Sequence, residues 1–128
     1  MLVLSPAMAG AGAELLKLVI GRERPTESGA HVWRGLFSGF DNGTGLGLPS
    51  SHAAVAFGGA FAGALLVPRL RCLLVTLACG CGATRMLTGD HFLSDVVGGA
   101  LLGYASARLV GVWLGASGSA TGGFGKTW

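Results

Sequence analysis

The stretch TRMLTGDHFLSD, residues 84–95, leads straight into an apolar run that continues to about residue 114, and its reading decides what the chain folds into. Arg85, His91 and Asp95 stand at the mouth of that run. If a helix starts near His91, Asp95 lies one turn below it on the same face, where a carboxylate can hold the imidazole. Aspartate is costly inside an apolar segment and is usually functional there. A histidine one turn ahead of it then reads as an oriented, basic imidazole, with an arginine nearby for an anion. A polar N-cap cluster at a membrane surface accounts for the same residues, so the stretch taken alone leaves both readings open.

The surrounding composition narrows the choice. With 51% hydrophobic and 12% charged residues and a mean hydropathy of +0.62, the 128 residues form at most one domain, and not an ordinary water-soluble one. The 24 glycines fit a membrane protein, because small residues let helices approach closely in lipid. Gly59 and Gly63, Gly99 and Gly103, and Gly111 and Gly115 all have the spacing for it. The net charge of +3 comes mostly from arginines assigned below to an anion site and a cytoplasmic turn, and no nucleic-acid motif accompanies them. Cys72, Cys79 and Cys81 fall in one apolar stretch without histidine or carboxylate neighbours. They read as small buried hydrophobes, neither a disulfide framework nor a metal site.

Four apolar segments follow, at about residues 1–20, 50–67, 72–87 and 92–114. The expected fold class is therefore all-α, an integral membrane helical bundle of four apolar helices, two of them short for a full span. The first segment lacks the basic start and cleavage site of a signal peptide, carries Glu14 and Lys17, and is read as a membrane helix. The basic turn Pro68-Arg69-Leu70-Arg71 belongs on the cytoplasmic face. The opposite, external face receives the long connection 26–48, whose Trp33, Phe37 and Phe40 are expected to anchor among lipid headgroups. The Gly/Ser-rich tail 116–128, with Lys126, is expected to be a flexible cytoplasmic end.

On this topology every polar cluster lies at the external ends. KLVIGRERP, residues 17–25, places Lys17 and Arg24 two helical turns apart, so both face one way as a cationic clamp if the helix continues to Pro25. Lys17 snorkelling to the interface accounts for that cluster, taken alone, equally well. Arg22 and Glu23 read as surface neighbours, and Glu14 has no assigned part. LPSSH, residues 48–52, offers Ser50 as a helix N-cap with free N–H groups for an anion and His52 in the first turn as a proton donor. A capping serine beside an unrelated histidine explains it too.

Taken in order, Lys17-x6-Arg24-Pro25, Pro49-Ser50-Ser51-His52 and Thr84-Arg85-x5-His91-x3-Asp95 resemble the signature of the type 2 phosphatidic acid phosphatase family, K-x6-RP, PSGH and SR-x5-H-x3-D. The resemblance covers nearly the whole chain. Ser51 stands where the family usually has glycine, which bears on the close backbone approach to phosphate, and Thr84 replaces a serine but keeps a hydroxyl.

The resemblance implies phosphate ester hydrolysis through a phosphohistidine, with no metal or other cofactor. His91 would be the nucleophile, Asp95 its orienting partner and His52 the acid for the leaving oxygen. Lys17, Arg24 and Arg85, with Ser50 and the backbone at Ser51, would hold the phosphoryl oxygens. Such transfer is catalysed mostly by positioning and charge stabilisation, which three fixed cations can supply. The family includes soluble acid phosphatases and vanadium haloperoxidases as well as membrane lipid phosphatases, and the apolar helices favour the last. Membrane members resemble six-helix bundles, of which the last four helices are evident here, so the expectation is an N-terminally incomplete or a minimal form. The implied partners are a lipid phosphate and membrane lipids: phosphatidate, phosphatidylglycerophosphate, polyprenyl diphosphate or a lipid A phosphate. The implied place is a bacterial inner membrane with the site on the periplasmic face. A phosphotransferase of the same family, or a non-catalytic membrane protein retaining the motifs, are the alternatives.

Overall fold

The computed structural model describes residues 1–26 and 29–115, and these form an all-α fold of four helices. They are α1 (Leu4–Ile20), α2 (Ser51–Leu66), α3 (Arg71–Leu87) and α4 (Leu93–Trp113). The tail expected to be flexible, 116–128, lies outside the described residues.

The first helix stops short of Pro25. Gly21 takes a left-handed conformation at φ 66°, and its N–H returns to the Lys17 carbonyl at 3.0 Å, closing the helix as a glycine just past the end commonly does. The chain beyond is extended and held by isolated bridges, Arg22 to Trp33 and Glu23 to Leu46. Lys17 and Arg24 therefore do not share one helical face. At the other ends the local signals hold: Ser50 caps α2 in an extended conformation, and Pro68 begins the short 3-10 turn that leads into α3.

Two helical stretches are long and apolar enough to cross a membrane, Pro68–Leu87 and Leu93–Trp113. At 16 residues α2 spans only about 24 Å, in line with a segment short of a full span, while α1, read as a membrane helix, devotes part of its 17 residues to Glu14 and Lys17.

Helix α2 is the central element, touching α1, α3 and α4. Most of the buried side chains around it are small, Ala9, Ala13, Ala53, Ala54, Ala60 and Ala107, with Phe57 and Val96 the larger ones among them. The large aliphatics Leu15, Leu73, Leu77, Leu101 and Leu109 face outward, and the largest fully buried side chains are Asp95, Ser5 and Ser50. A water-soluble bundle has the reverse arrangement.

Of the three glycine pairs, one is used throughout at a helix contact. A Cβ on Gly103 would stand 2.6 Å from the Gly58 nitrogen and 2.8 Å from the Ala54 carbonyl, and one on Gly99 would stand 2.9 Å from the Ala53 Cβ. Gly59 and Gly115 have open space where a side chain would go. The Ser5 hydroxyl adds an interhelical hydrogen bond, donated to the Gly58 carbonyl at 3.2 Å.

Candidate active site

The end of α1, the start of α2, the end of α3 and the start of α4 meet at one end of the bundle, tied by a backbone bond. The Ser50 N–H, at the N-cap of α2, donates to the Asp95 carbonyl in the first turn of α4 at 2.9 Å. The LPSSH and HFLSD stretches are thereby fixed to each other.

Helix α4 starts at Leu93, two residues past His91, yet the expected pairing is made. Asp95 is the third helical residue, and its Oδ2 accepts the N–H of the N-cap Phe92 at 2.8 Å. Phenylalanine offers no side-chain acceptor, so only the return half of a capping box forms. The same oxygen lies 3.4 Å from His91 Nδ1. Both side chains are buried, Asp95 completely. The His91 N–H and the Asp90 N–H both point back to the Arg85 carbonyl, at 3.3 and 3.1 Å, which folds the turn between α3 and α4.

Lys17 is buried on the last turn of α1, not snorkelling, and its Nζ donates to Glu14 Oε1 at 2.8 Å and to the Ser51 hydroxyl. Ser51 in turn donates to Glu14. Ser50 is fully buried, its Oγ accepting the Ala53 N–H at 3.4 Å.

Arg85 is half-buried and faces Asp90 at 3.4 Å. The Thr88 hydroxyl donates to Asp90 at 2.6 Å and, with Arg85 behind it, holds the Asp90 carboxyl below the ordinary carboxylate range.

Arg24 and His52 stand apart from these bonds. The Arg24 side chain is exposed and donates from Nε to the Leu46 carbonyl at 3.3 Å, while its charge acts on both Glu14 and Asp90. It does not clasp Lys17. His52 is exposed in the first turn of α2.

Arg22, read from the sequence as a surface neighbour, is 5% exposed and paired with Asp95 Oδ1. It also donates to the Ser94 hydroxyl at 2.8 Å. Gly21 carried only part of the signal for this. A glycine one residue past a periodic run ends a helix, which frees Arg22 from the helical face; alternation in the extended chain that follows would set Arg22 and Arg24 on one side, so no sequence signal singles out Arg22 as the one that is buried. Glu14, unassigned from the sequence, holds the Lys17–Ser51 group, and Glu23 pairs with Arg34 at 2.6 Å. Among the described residues no group of three or more His, Cys, Asp or Glu side chains gathers as a metal site.

Comparison with known proteins places the chain as a whole. The chain is similar to the lipid A 1-phosphatase of Rhizobium etli, 40% identical over 101 residues covering 74% of this chain and 41% of that protein. It is likewise similar to the lipid A 1-phosphatase of Rhizobium johnstonii, 39% identical over 100 residues, or 74% and 39% of the two chains. The chain thus spans about two fifths of the length of these curated relatives. No solved structure matches it. The model of the PAP2 superfamily matches residues 1–119, which include Lys17, Ser50, His91 and Asp95 with all four helices, and the chain belongs to that superfamily.

Proposed function

We propose that the chain is an integral membrane lipid phosphatase that hydrolyses a lipid phosphate monoester through a phosphohistidine on His91. The observation that carries this reading is the joint between the two histidine-bearing stretches. Ser50 and Asp95 share a backbone hydrogen bond, so His52 in the next turn and His91, held by Asp95, belong to one rigid corner of the fold. The inverted packing, small residues inside and large aliphatics outside, supports lipid as the surrounding solvent.

In the proposed reaction Asp95 holds the Nδ1 side of His91, leaving Nε2 to attack phosphorus. As the P–N bond forms the bond to the lipid oxygen breaks, and His52 gives that oxygen a proton. Water then attacks the phosphohistidine, His52 takes its proton, and the P–N bond breaks to release inorganic phosphate. Lys17, Arg24 and Arg85, with Ser50 and the backbone at Ser51, hold the phosphoryl oxygens. Glu14 and Asp90 are the internal anions now facing Lys17 and Arg85, and substrate phosphate displaces them. Among the four lipid phosphates considered, the names of the two Rhizobium relatives favour lipid A 1-phosphate. The site is read as periplasmic because Arg69 and Arg71 lie at the opposite end of the bundle.

Release of inorganic phosphate across a lipid phosphate panel, with chelator present and vanadate as inhibitor, tests the reaction. Release from lipid A 1-phosphate that survives chelation and stops with vanadate is expected; activity lost to chelator and restored by a divalent ion would overturn the mechanism. The histidines are separated with p-nitrophenyl phosphate, whose phenolate needs little protonation to leave. His52→Ala should show a burst of about one phenolate per site and accumulate acid-labile phosphate on His91, while His91→Ala shows neither. An equal burst in both variants would mean that the nucleophile is another residue.

A further inference from the structure

We infer that Arg22 is a positioning residue for the His91–Asp95 pair, acting through the aspartate and not on the phosphate. The inference rests on the reading of His91 as nucleophile. Asp95 is fully buried, and a carboxylate in such a place needs its oxygens engaged. Its Oδ2 serves Phe92 N–H and His91, which leaves Oδ1 for Arg22 alone.

Arg22 is itself held on every side. Its guanidinium lies 5.6 Å from the Trp33 ring centre and 5.2 Å from that of Phe92. Its carbonyl accepts the Gly47 N–H at 2.8 Å, and on either side of it the Arg34 N–H donates to Gly21 and the Glu23 N–H to Val32, both at 2.9 Å. His31 stacks on the outer side of Phe92 at 3.9 Å.

The Nη2 that reaches Asp95 also reaches Ser94, and Nε is buried without a hydrogen-bond partner among the described residues. A side chain so enclosed is spent on the carboxylate. Its effect is to stop the Asp95 carboxylate from turning, and so to keep one proton on His91 Nδ1 and the lone pair on Nε2. Lys17, Arg24 and Arg85 remain the cations for the phosphoryl oxygens, and Arg22 supports the nucleophile.

A double-mutant cycle in the full chain tests this, read as the rate of phosphohistidine formation, kcat and KM. Arg22→Gln is expected to lower kcat by about 10–100-fold, the size usual for an outer partner that orients a reacting group, with KM little changed. Arg22→Lys should recover part of the loss, since it restores the charge but not the planar fork. Because Arg22→Gln alone leaves a buried carboxylate unpaired and can unfold the chain, the deciding comparison is Arg22→Gln/Asp95→Asn against Asp95→Asn. Equal kcat within about twofold supports the inference, because residues acting as one unit are non-additive. A further loss of about tenfold or more in the double variant would show an independent structural part and overturn it. A raised KM with kcat preserved in Arg22→Gln would overturn it too, by making Arg22 a phosphate ligand. If the wild-type chain carries no acid-labile phosphate on His91, the parent reading falls first, and that result is visible without any variant.

Discussion

Ser51 occupies a position where glycine is usual, and its hydroxyl ties Lys17 to Glu14 across α1 and α2. The Glu14 side chain is 64% exposed, so its hold on Lys17 is a weak one, worth about 0.2–1 kcal/mol. On the proposed reading, phosphate competes with that carboxylate for the same ammonium. Glu14→Gln should therefore lower KM for a lipid phosphate by a factor of about 1.4 to 5, and Ser51→Gly should move it the same way. Steady-state kinetics on the two variants read this directly; a raised KM in Glu14→Gln would mean that the carboxylate orients Lys17 for the substrate. The residues legible in the sequence were those whose polarity was out of place: Lys17, Ser50, His91 and Asp95 each stand within or at the edge of an apolar run. Arg22 was not legible by type, because Arg24 two residues on carries the same side chain. Their fates are separated by long-range partners, Asp95 of α4 for Arg22 and the Leu46 carbonyl for Arg24.

At the scale of the helix, the bond between Ser50 and Asp95 depends on how closely α2 and α4 approach. Gly99 and Gly103 set that distance. Gly103→Ala puts a methyl against the Gly58 nitrogen and the Ala54 carbonyl, neither of which can rotate away, and should cost about 1–3 kcal/mol and most of the activity. Gly59→Ala, facing open space, should be neutral or slightly stabilising, by up to about 1 kcal/mol from helix propensity. Thermal unfolding in detergent micelles distinguishes the two, and equal effects would remove the glycine contact as the spacer. The existence of the four helices was readable from hydropathy, and their bounds fell close to the segments expected. Which glycine pair packs was not readable, because three pairs share one spacing and the choice depends on which faces of α2 and α4 meet. The pairing of Glu14 with Ser51, 37 positions apart, was hidden for the same reason, since the alanines between α1 and α2 give no register in sequence.

Taken whole, the molecule keeps its carboxylates to one end. Among the described residues Glu14, Glu23, Asp90 and Asp95 are paired with the cations of that end, and no carboxylate accompanies Arg69, Arg71 or Arg108. If that basic end is cytoplasmic, a cysteine placed at Gly43 in a cysteine-free background should react with a membrane-impermeant thiol reagent in intact cells, and one at Leu70 should not. The reverse pattern would turn the site toward the cytoplasm. The joint between Ser50 and Asp95 has a mechanical meaning at this scale. Helix α4, 21 residues and about 30 Å long, is held over its first half, by that bond and by Gly99 and Gly103 against α2, as a beam is by a clamp. A beam so held bends most at its far tip, here Trp113. The histidines sit at the clamped end, where the same bending moves them least.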